Sequence, residues 1–324
     1  MITLMREDLL ARTVPRKRQS SNAVSVTIPT RDRPQLLARA VEAILTQDHD
    51  GPIECVVVFD QSEPHEIPLR SDLPAGRTVK AVKNTRKPGL AGARNSGILA
   101  ASNPIMGFCD DDDEWLPGKL AAQLSLMDQH PGASVVATGI LVHFNGRDRT
   151  RPAPRRPLNH GDFLEDRIME VNPCTVLSRR ELILDRIGLV DEEIPGGYAE
   201  DYEWLLRASA VAPIRCVPEP LVRIYWHSHS FYTEQWRVII DGLLYVLNRH
   251  PGFSQHPRGL ARIQGQIAFA YAGLGEYPRA RSWARKALRH NIKEKRAYLA
   301  LACSTGLVRN DSVVRFAKRF GRNV

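Results

Sequence analysis

Short β-branched runs alternate with segments of helical spacing through the first third of the chain, and this alternation constrains the fold more than any other feature. Residues 24–29 (VSVTIP) and 53–59 (IECVVVF) have the character of strands that are buried on both faces. Between them, residues 34–47 place apolar side chains at helical spacing. The alternation continues with strands at 78–82 and 104–109 and a glycine-rich loop that enters a helix over 89–101. It predicts an α/β fold with a mixed, mostly parallel sheet covered by helices on both faces.

The rest of the chain falls into a less regular stretch and a helical end. A helix is predicted over residues 117–129 and a strand over 134–144, and the Pro/Arg-rich segment 147–157 is predicted to be an exposed loop. Residues 172–226 supply further strands and a helix near 200–210. Residues 261–274 and 278–288 match a helical hairpin of a tetratricopeptide-like unit. The predicted domains are a basic N-terminal extension (1–23), an α/β domain (24–230) and a C-terminal all-α extension (231–324).

The net charge of +9 is concentrated at the C-terminal end, where residues 249–324 contain 16 Lys or Arg and three Asp or Glu. Such asymmetry favours an anionic partner for this part of the chain, with a solvated basic face as the alternative. Residues 311–320 form an amphipathic helical pattern, which packs either on the body of the protein or on a membrane surface. Nucleic acid is a disfavoured partner because no aromatic-basic signature accompanies the charge.

The distribution of apolar residues and of cysteines indicates the cellular compartment. No stretch approaches the roughly 18 consecutive apolar residues that span a bilayer, and the basic N-terminus lacks the apolar region of a secretory signal. Cys55, Cys109 and Cys216 lie in apolar, strand-like surroundings, as reduced core cysteines do. We therefore expect a cytoplasmic protein, with peripheral contact at the inner face of the membrane through the basic C-terminus as an open alternative.

Four consecutive aspartates, Asp110 to Asp113, follow directly on the strand predicted at 104–109. Such a run repels itself unless a cation binds, and carboxylates are the ligands that Mg²⁺ prefers and that suit Mn²⁺. An extended segment would point alternate aspartates to opposite sides. A solvated acidic turn is the alternative. Thr30, Asp60 and Asp110 each follow the end of a predicted strand, and ligands bind at such ends in sheets of this class.

Between residues 24 and 230, seven segments occur in an order that resembles the inverting glycosyltransferases of family 2, which have the GT-A fold. They are VSVTIPTRDRPQLLARAVEAILTQ, VVVFDQS, GLAGARNSGI, FCDDDDEW, RRELI, GLVDEEI and AEDYEWLLR. The resemblance implies transfer of a sugar from a nucleotide-diphosphate donor, with UDP or dTDP favoured, to an acceptor hydroxyl. It implies Mn²⁺ or Mg²⁺ as cofactor and a carbohydrate or lipid-linked acceptor, in glycan, polysaccharide or glycolipid biosynthesis.

The resemblance also implies roles for individual residues. Asp201 matches the catalytic base that takes the proton of the acceptor hydroxyl, and N-capping of the following helix is its structural alternative. Asp112 and Asp110 match the metal ligands, and His227 matches a position that completes the metal or diphosphate site. The nucleotide and the donor sugar would contact Pro29, Thr30, Arg31, Asp60, Arg94, Asp110, Asp111 and Glu200. The chain departs from the family pattern at Phe59 and Gln61, where Asp and Gly are common, so the identity of the donor base stays open.

A second class of function fits the same sequence. A catalytically silent module would hold a nucleotide in the crevice and recruit a partner through its basic helical tail. The intact acidic run and the segment Glu200-Asp201 favour the enzyme. A homodimer is compatible with the additional helices. The acceptor is expected to contact residues 147–171 and the helical extension, and the composition of these segments does not identify it.

Overall fold

The computed structural model describes residues 22–226 and 235–306, which form an α/β body followed by a group of helices. The strands and helices are, in chain order, β1 (Val24–Thr30), α1 (Pro34–Leu45), β2 (Ile53–Phe59), β3 (Arg77–Lys83), α2 (Leu90–Ala100), β4 (Ile105–Phe108), β5 (Glu114–Trp115), α3 (Lys119–Gln129), β6 (Val136–Phe144), β7 (Arg147–Arg151), α4 (His160–Glu165), β8 (Leu177–Arg179), α5 (Arg180–Leu182), α6 (Glu200–Val211), β9 (Arg215–Tyr225), α7 (Trp236–Arg249), α8 (Pro257–Gly273), α9 (Tyr277–His290) and α10 (Lys295–Cys303).

The strands of the described residues form a single mixed sheet in the order β3-β2-β1-β4-β8-β6-β9-β5, with β7 added beside β6. The first four positions are parallel, since β1 pairs with β2 and β4, and β2 pairs with β3. Beyond them, β8 runs antiparallel to β4 and β6, whereas β6 and β9 are parallel. The predicted fold class, a mixed α/β sheet with C-terminal helices, is confirmed.

The central strands are buried on both faces because helices cover each side of the sheet. Alternate residues of β2 point in opposite directions, so Val56 and Val58 pack in the layer that contains α2 and α6. Cys55 and Val57 pack in the opposite layer, with α1 and α3. A continuous apolar run in the sequence therefore reflects two cores that share one strand.

The C-terminal helices extend one of these cores. The layer that contains Val56 continues through Leu205 of α6 to Ile263 of α8 and Ala297 of α10. A hydrogen bond of 3.1 Å between His250 Nε2 and Glu203 Oε1 joins α6 to the residue that follows α7. The predicted hairpin corresponds to α8 and α9, while its tetratricopeptide-like class stays a prediction.

The exposed loop predicted for residues 147–157 is wrong in its first part, because residues 147–151 form strand β7. Asn145 and Gly146 both have positive φ angles, 50° and 72°, as in the tight turn that favours an Asn-Gly pair in β-hairpins. Charged side chains do not prevent pairing at an edge, where the backbone of β7 bonds to β6 and the side chains stay in solvent. The Asn-Gly pair thus marks a hairpin whose second strand has the charged composition that is otherwise typical of a loop.

No helix within residues 22–226 and 235–306 has the length and apolar content needed to cross a bilayer. The amphipathic pattern predicted at 311–320 lies outside the described residues.

Candidate active site

The carboxyl ends of β1, β2 and β4 meet at one edge of the sheet, and a polar residue lies at or just after each end. The register pairs Thr30 with Phe59, and the Asp60 N–H donates to the Thr30 carbonyl oxygen at 3.0 Å. Thr30 Oγ1 donates to Asp111 Oδ2 at 2.8 Å. The structure therefore brings together the strand ends from which the sequence predicts a shared crevice.

The acidic run forms a turn instead of an extended segment. The Asp113 N–H donates to the Asp110 carbonyl oxygen at 3.2 Å, and Asp111 and Asp112 form the corner between them. The backbone of the run is therefore not extended, but the predicted division of the side chains is confirmed: Asp110 and Asp112 are partly exposed, whereas Asp111 and Asp113 are buried. Arg33 donates to Asp111 Oδ1 at 3.2 Å and to Asp112 Oδ2 at 3.1 Å, which neutralises part of the negative charge.

Asp113 faces the interior of the protein. Its carboxylate accepts hydrogen bonds from the Tyr225 N–H at 3.0 Å and from the Cys174 thiol at 3.1 Å. Burial, together with the charges of Asp110 and Asp112, raises the pKa of Asp113 well above its ordinary value. Asp113 thus links the acidic turn to β9 and to the segment before β8.

Two different donor sets could hold a cation at this turn. Ligand atoms of Asp110, Asp113 and Cys174 lie within 4.8 Å of one another. A hydrogen bond with Cys109 and burial raise the pKa of the Cys174 thiol well above its ordinary value, and a protonated thiol is a poor ligand. The side chains of Asp110 and Asp112 are 33% and 24% exposed, so their oxygens are accessible from the crevice. By ligand chemistry, the oxygen pair suits Mg²⁺ or Mn²⁺ better than the thiol-containing set does, because these ions prefer oxygen ligands.

Arg94 connects the acidic turn to the beginning of α6. Its guanidinium is buried and donates to Asp110 Oδ1 at 2.9 Å and to Glu200 Oε1. Since Arg94 lies on α2, behind the glycine-rich loop, the loop-to-helix transition predicted from the sequence delivers this side chain to the crevice. The acidic run and the Glu200-Asp201 segment are therefore parts of one site.

Asp201 lies in the first turn of α6, and both of its carboxylate oxygens contact Arg167 Nη2, at 2.9 and 2.7 Å. Burial alone would raise the pKa of Asp201, but the charges of Arg167 and Arg94 outweigh burial and lower the pKa below its ordinary value. The carboxylate is consequently ionised at neutral pH. The N-capping alternative is wrong, because the N-cap is Ala199, which has a φ of 69°.

Asp60 holds three segments together at the other side of the crevice. Its carboxylate accepts hydrogen bonds from Asn84 Nδ2 at 2.7 Å, the Gly89 N–H at 3.0 Å and Gln61 Nε2 at 3.1 Å. Gln61 has a φ of 57°, which explains why glycine is common at this position of the pattern. The side chain that replaces glycine folds back onto Asp60.

The remaining predicted site residues differ in accessibility. Pro29 is buried within β1, where it pairs with Val58, while Arg31 is exposed just beyond the strand end. His227 lies outside the described residues. A cavity between Arg94 and Asp201 is lined otherwise by apolar side chains, namely Phe108, Pro173, Val176, Val190, Trp204 and Leu205.

Four contributors to the site carry no signal that the sequence analysis used. Arg33 and Arg167 are long cations that reach their partners across 78 and 34 residues of chain. Cys174 contacts Asp113, and Asn84 contacts Asp60, from loops without a motif. For Arg33, its position directly after Thr30-Arg31-Asp32 at a strand end could have indicated a role.

Residues 25–186 match the family model described as Glycosyl transferase family 2. The chain belongs to this family. The glycosyltransferase YwdF of Bacillus subtilis, described as uncharacterized, is 26% identical over 201 residues, which cover 60% of this chain and 71% of YwdF. The Escherichia coli protein named UDP-Glc:alpha-D-GlcNAc-diphosphoundecaprenol beta-1,3-glucosyltransferase WfgD is 25% identical over 196 residues, which cover 60% and 73% of the two chains.

Solved structures show the same fold for this glycosyltransferase. S. aureus TarS 1–349, in complex with UDP-GlcNAc, superposes with a TM-score of 0.59 at 18% sequence identity, over 93% of this chain and 92% of that chain. The coverage includes the C-terminal helices as well as the α/β body. The GT-A architecture that the resemblance implies is thus confirmed for a glycosyltransferase enzyme.

Proposed function

We propose that the chain is an inverting, metal-dependent glycosyltransferase that moves a sugar from a UDP- or dTDP-linked donor to an acceptor hydroxyl. The observation that carries the proposal is the bridge formed by Arg94, which contacts Asp110 in the acidic turn and Glu200 beside Asp201. The bridge supports a site in which a carboxylate base lies across one crevice from the residues suited to a diphosphate. A single displacement needs this arrangement, since the base and the leaving group act at opposite faces of the sugar.

Asp201 is the proposed base. Its lowered pKa keeps it ionised at neutral pH, and the acceptor hydroxyl becomes acidic only as it bonds to the anomeric carbon. Arg167 fixes the carboxylate by contacting both oxygens through one nitrogen atom, which leaves other lone pairs of the carboxylate available to the acceptor. Arg167 is thus proposed to position the base.

The opposite side of the crevice is proposed to bind the donor diphosphate. A divalent cation held by Asp110 and Asp112 would supply Lewis-acid stabilisation of the charge that develops on the leaving diphosphate. Arg33, whose side chain is 52% exposed, lies at the same turn and can contact a phosphate oxygen. Thr30 and Asp111, joined by a hydrogen bond of 2.8 Å, and the exposed Arg31 are proposed to line the donor pocket beside it.

Recognition of the donor base is proposed to involve Asp60. A carboxylate selects the N–H of uracil or thymine, and Asp60 lies at the end of β2 beside Thr30. The name of WfgD specifies UDP-Glc and a diphosphoundecaprenol-linked acceptor, and TarS was solved with UDP-GlcNAc. These relatives favour a uridine donor and a carbohydrate or lipid-linked acceptor in polysaccharide or glycolipid biosynthesis.

The test is nucleotide release from UDP- and dTDP-sugars by purified protein in the presence of Mn²⁺. Asp201→Asn is expected to lower the rate by about 10² to 10⁴-fold, the usual contribution of a positioned base, while the affinity for the nucleotide stays unchanged. Asp128→Asn, at an exposed position of α3, is the matched control and should keep the wild-type rate. Chelation by EDTA should abolish release, and Mn²⁺ should restore it.

Two results would contradict parts of the proposal. A wild-type rate in Asp201→Asn would remove Asp201 from the role of base. Tight nucleotide binding by the wild-type protein without release from any donor would favour the catalytically silent module instead.

A further inference from the structure

The loop between α9 and α10, residues 291–294, presents an apolar side chain to solvent. Ile292 is 71% exposed, more than any other large hydrophobic side chain among the described residues; Leu99 and Tyr298 follow at 48%. An isolated exposed isoleucine is ordinary on a protein surface. The surroundings of Ile292 make this one informative.

Hydrogen bonds hold this loop in one conformation. The Tyr298 hydroxyl donates to the Ile292 carbonyl oxygen at 2.8 Å, and the Lys293 N–H donates to Asn291 Oδ1 at 3.0 Å. The Glu294 N–H donates to the Asn291 carbonyl oxygen at 3.1 Å. The backbone therefore holds Ile292 in one place. Binding through this side chain would not have to offset the entropy cost of ordering the loop.

The surface around Ile292 is strongly basic. We name it the basic loop face and define it by Ile292 and the exposed cations Arg285, Lys286, Arg289, Lys293 and Lys295. Arg285 and Arg289 are four residues apart on α9 and share a helix face. Between residues 277 and 303 the sequence contains one acidic residue, Glu294, which is 8% exposed and accepts a hydrogen bond from the Arg296 N–H. The cations of this face therefore have little local compensation.

Inward-pointing side chains connect the loop that carries Ile292 to the segment before Asp201. Glu294, at the end of the loop, packs against Gly265 of α8. Arg296, two residues further, lies within electrostatic reach of Tyr198: burial raises the pKa of Tyr198, and the charges of Arg167 and Arg296 oppose that rise. Tyr198 leads directly into Glu200 and Asp201.

We propose that the basic loop face docks on an anionic membrane surface, with Ile292 entering the headgroup region and the surrounding lysines and arginines contacting lipid phosphates. An exposed apolar side chain together with exposed cations on the same loop and its two helices matches the two attractions that hold peripheral proteins on anionic bilayers. Nucleic acid matches less well, because an aliphatic tip offers a base no stacking surface. One consequence rests on the proposed function: docking would bring the transferase close to a lipid-linked acceptor.

The test is binding of the full-length chain to vesicles, measured by co-sedimentation without donor or acceptor. Wild-type protein should bind vesicles of phosphatidylcholine mixed with phosphatidylglycerol and not vesicles of phosphatidylcholine alone. Lys293→Gln/Lys295→Gln should lower the affinity about 30-fold, from about 1 kcal/mol for each cation near the surface. Ile292→Ser should lower it roughly tenfold, because an apolar side chain no longer enters the bilayer.

Matched variants elsewhere on the surface control for general effects. Arg147→Gln/Arg149→Gln removes two exposed cations from β7, and Leu99→Ser removes an exposed hydrophobic side chain from α2; both should bind like wild type. Equal losses in the control and test variants would overturn the proposal, as would unchanged binding of both test variants. Loss of RNA oligonucleotide binding in the test variants, with vesicle binding retained, would assign the face to nucleic acid. Vesicle binding is measured without turnover, so its failure leaves the transferase proposal intact.

Discussion

At the scale of single residues, the most unusual side chain near the candidate site is Lys119, which is fully buried. Its ammonium donates to Gln123 Oε1 at 2.6 Å and lies 3.6 Å from the centre of the Trp115 ring. Burial lowers the pKa of Lys119 from 10.5 to about 7. The protein therefore carries, in its core, a lysine that changes charge near neutral pH.

This shift predicts how stability depends on pH. Between about pH 7 and pH 10 the unfolded chain keeps the Lys119 proton while the folded chain releases it, so the free energy of unfolding rises with pH, by up to about 1.4 kcal/mol per unit. Lys119→Met should remove that rise. The measurement is urea unfolding of both proteins at several pH values across this range. Lys293→Met, at an exposed position, should keep the wild-type slope; equal slopes for wild type and Lys119→Met would contradict the prediction.

The residues of the candidate site separate into those that a sequence can and cannot reveal. Thr30, Asp60 and Asp110 were predictable because parallel strands deliver their ends to one edge. Arg167 was not, because a long side chain that reaches Asp201 from a loop leaves no periodicity and no spacing. The turn at Asp110 to Asp113 was hidden for a different reason, since four identical residues contain no mark of where the backbone reverses.

At the scale of elements, the β6–β7 hairpin depends on a turn that requires positive φ angles. Gly146 has a φ of 72°, and a Cβ atom added there would meet no other atom within 4 Å. Gly146→Ala should therefore lower the free energy of unfolding by about 1 kcal/mol through backbone strain alone. Gly132→Ala is the matched control: its Cβ also meets nothing, and no positive φ opposes it. Chemical unfolding of both variants measures the difference, and an equal effect of the two substitutions would contradict the argument.

Elements were predictable where burial imposes a pattern that lasts several residues. The bounds predicted for β2 match the structure, and β1 differs by one residue, because both strands are covered by a core on each face. Strand β7 was not predicted because its side chains lie in solvent and form no apolar pattern. The Asn-Gly pair before it is the one local feature of the sequence that indicates a hairpin. Hydrophobic periodicity does not indicate a strand that pairs only through its backbone.

On the scale of the whole molecule, the α/β body and the C-terminal helices share one apolar core. Helix α8 approaches α4 so closely that a Cβ atom on Gly259 would lie 1.7 Å from the Leu164 carbonyl oxygen. The Tyr202 hydroxyl, on α6, accepts a hydrogen bond from Arg262 Nη2 at 2.7 Å. Because these contacts join the helices to the element that carries Asp201, we expect the described parts of the chain to unfold in one cooperative transition.

Gly259→Val tests this coupling, because the added side chain must displace backbone atoms of α4 and cannot be accommodated by a rotamer change. The variant should lose at least about 3 kcal/mol of stability, at the upper end of the range for overpacked sites. Thermal unfolding followed by circular dichroism and by tryptophan fluorescence should show a single transition at a lower midpoint in both signals. Arg258→Val places the same β-branched residue at an exposed position of α8 and should shift the midpoint far less. If the helices of Gly259→Val melted early while the remaining signal kept the wild-type midpoint, the two parts would be independent units, and the helices would then have no influence on how Asp201 is held.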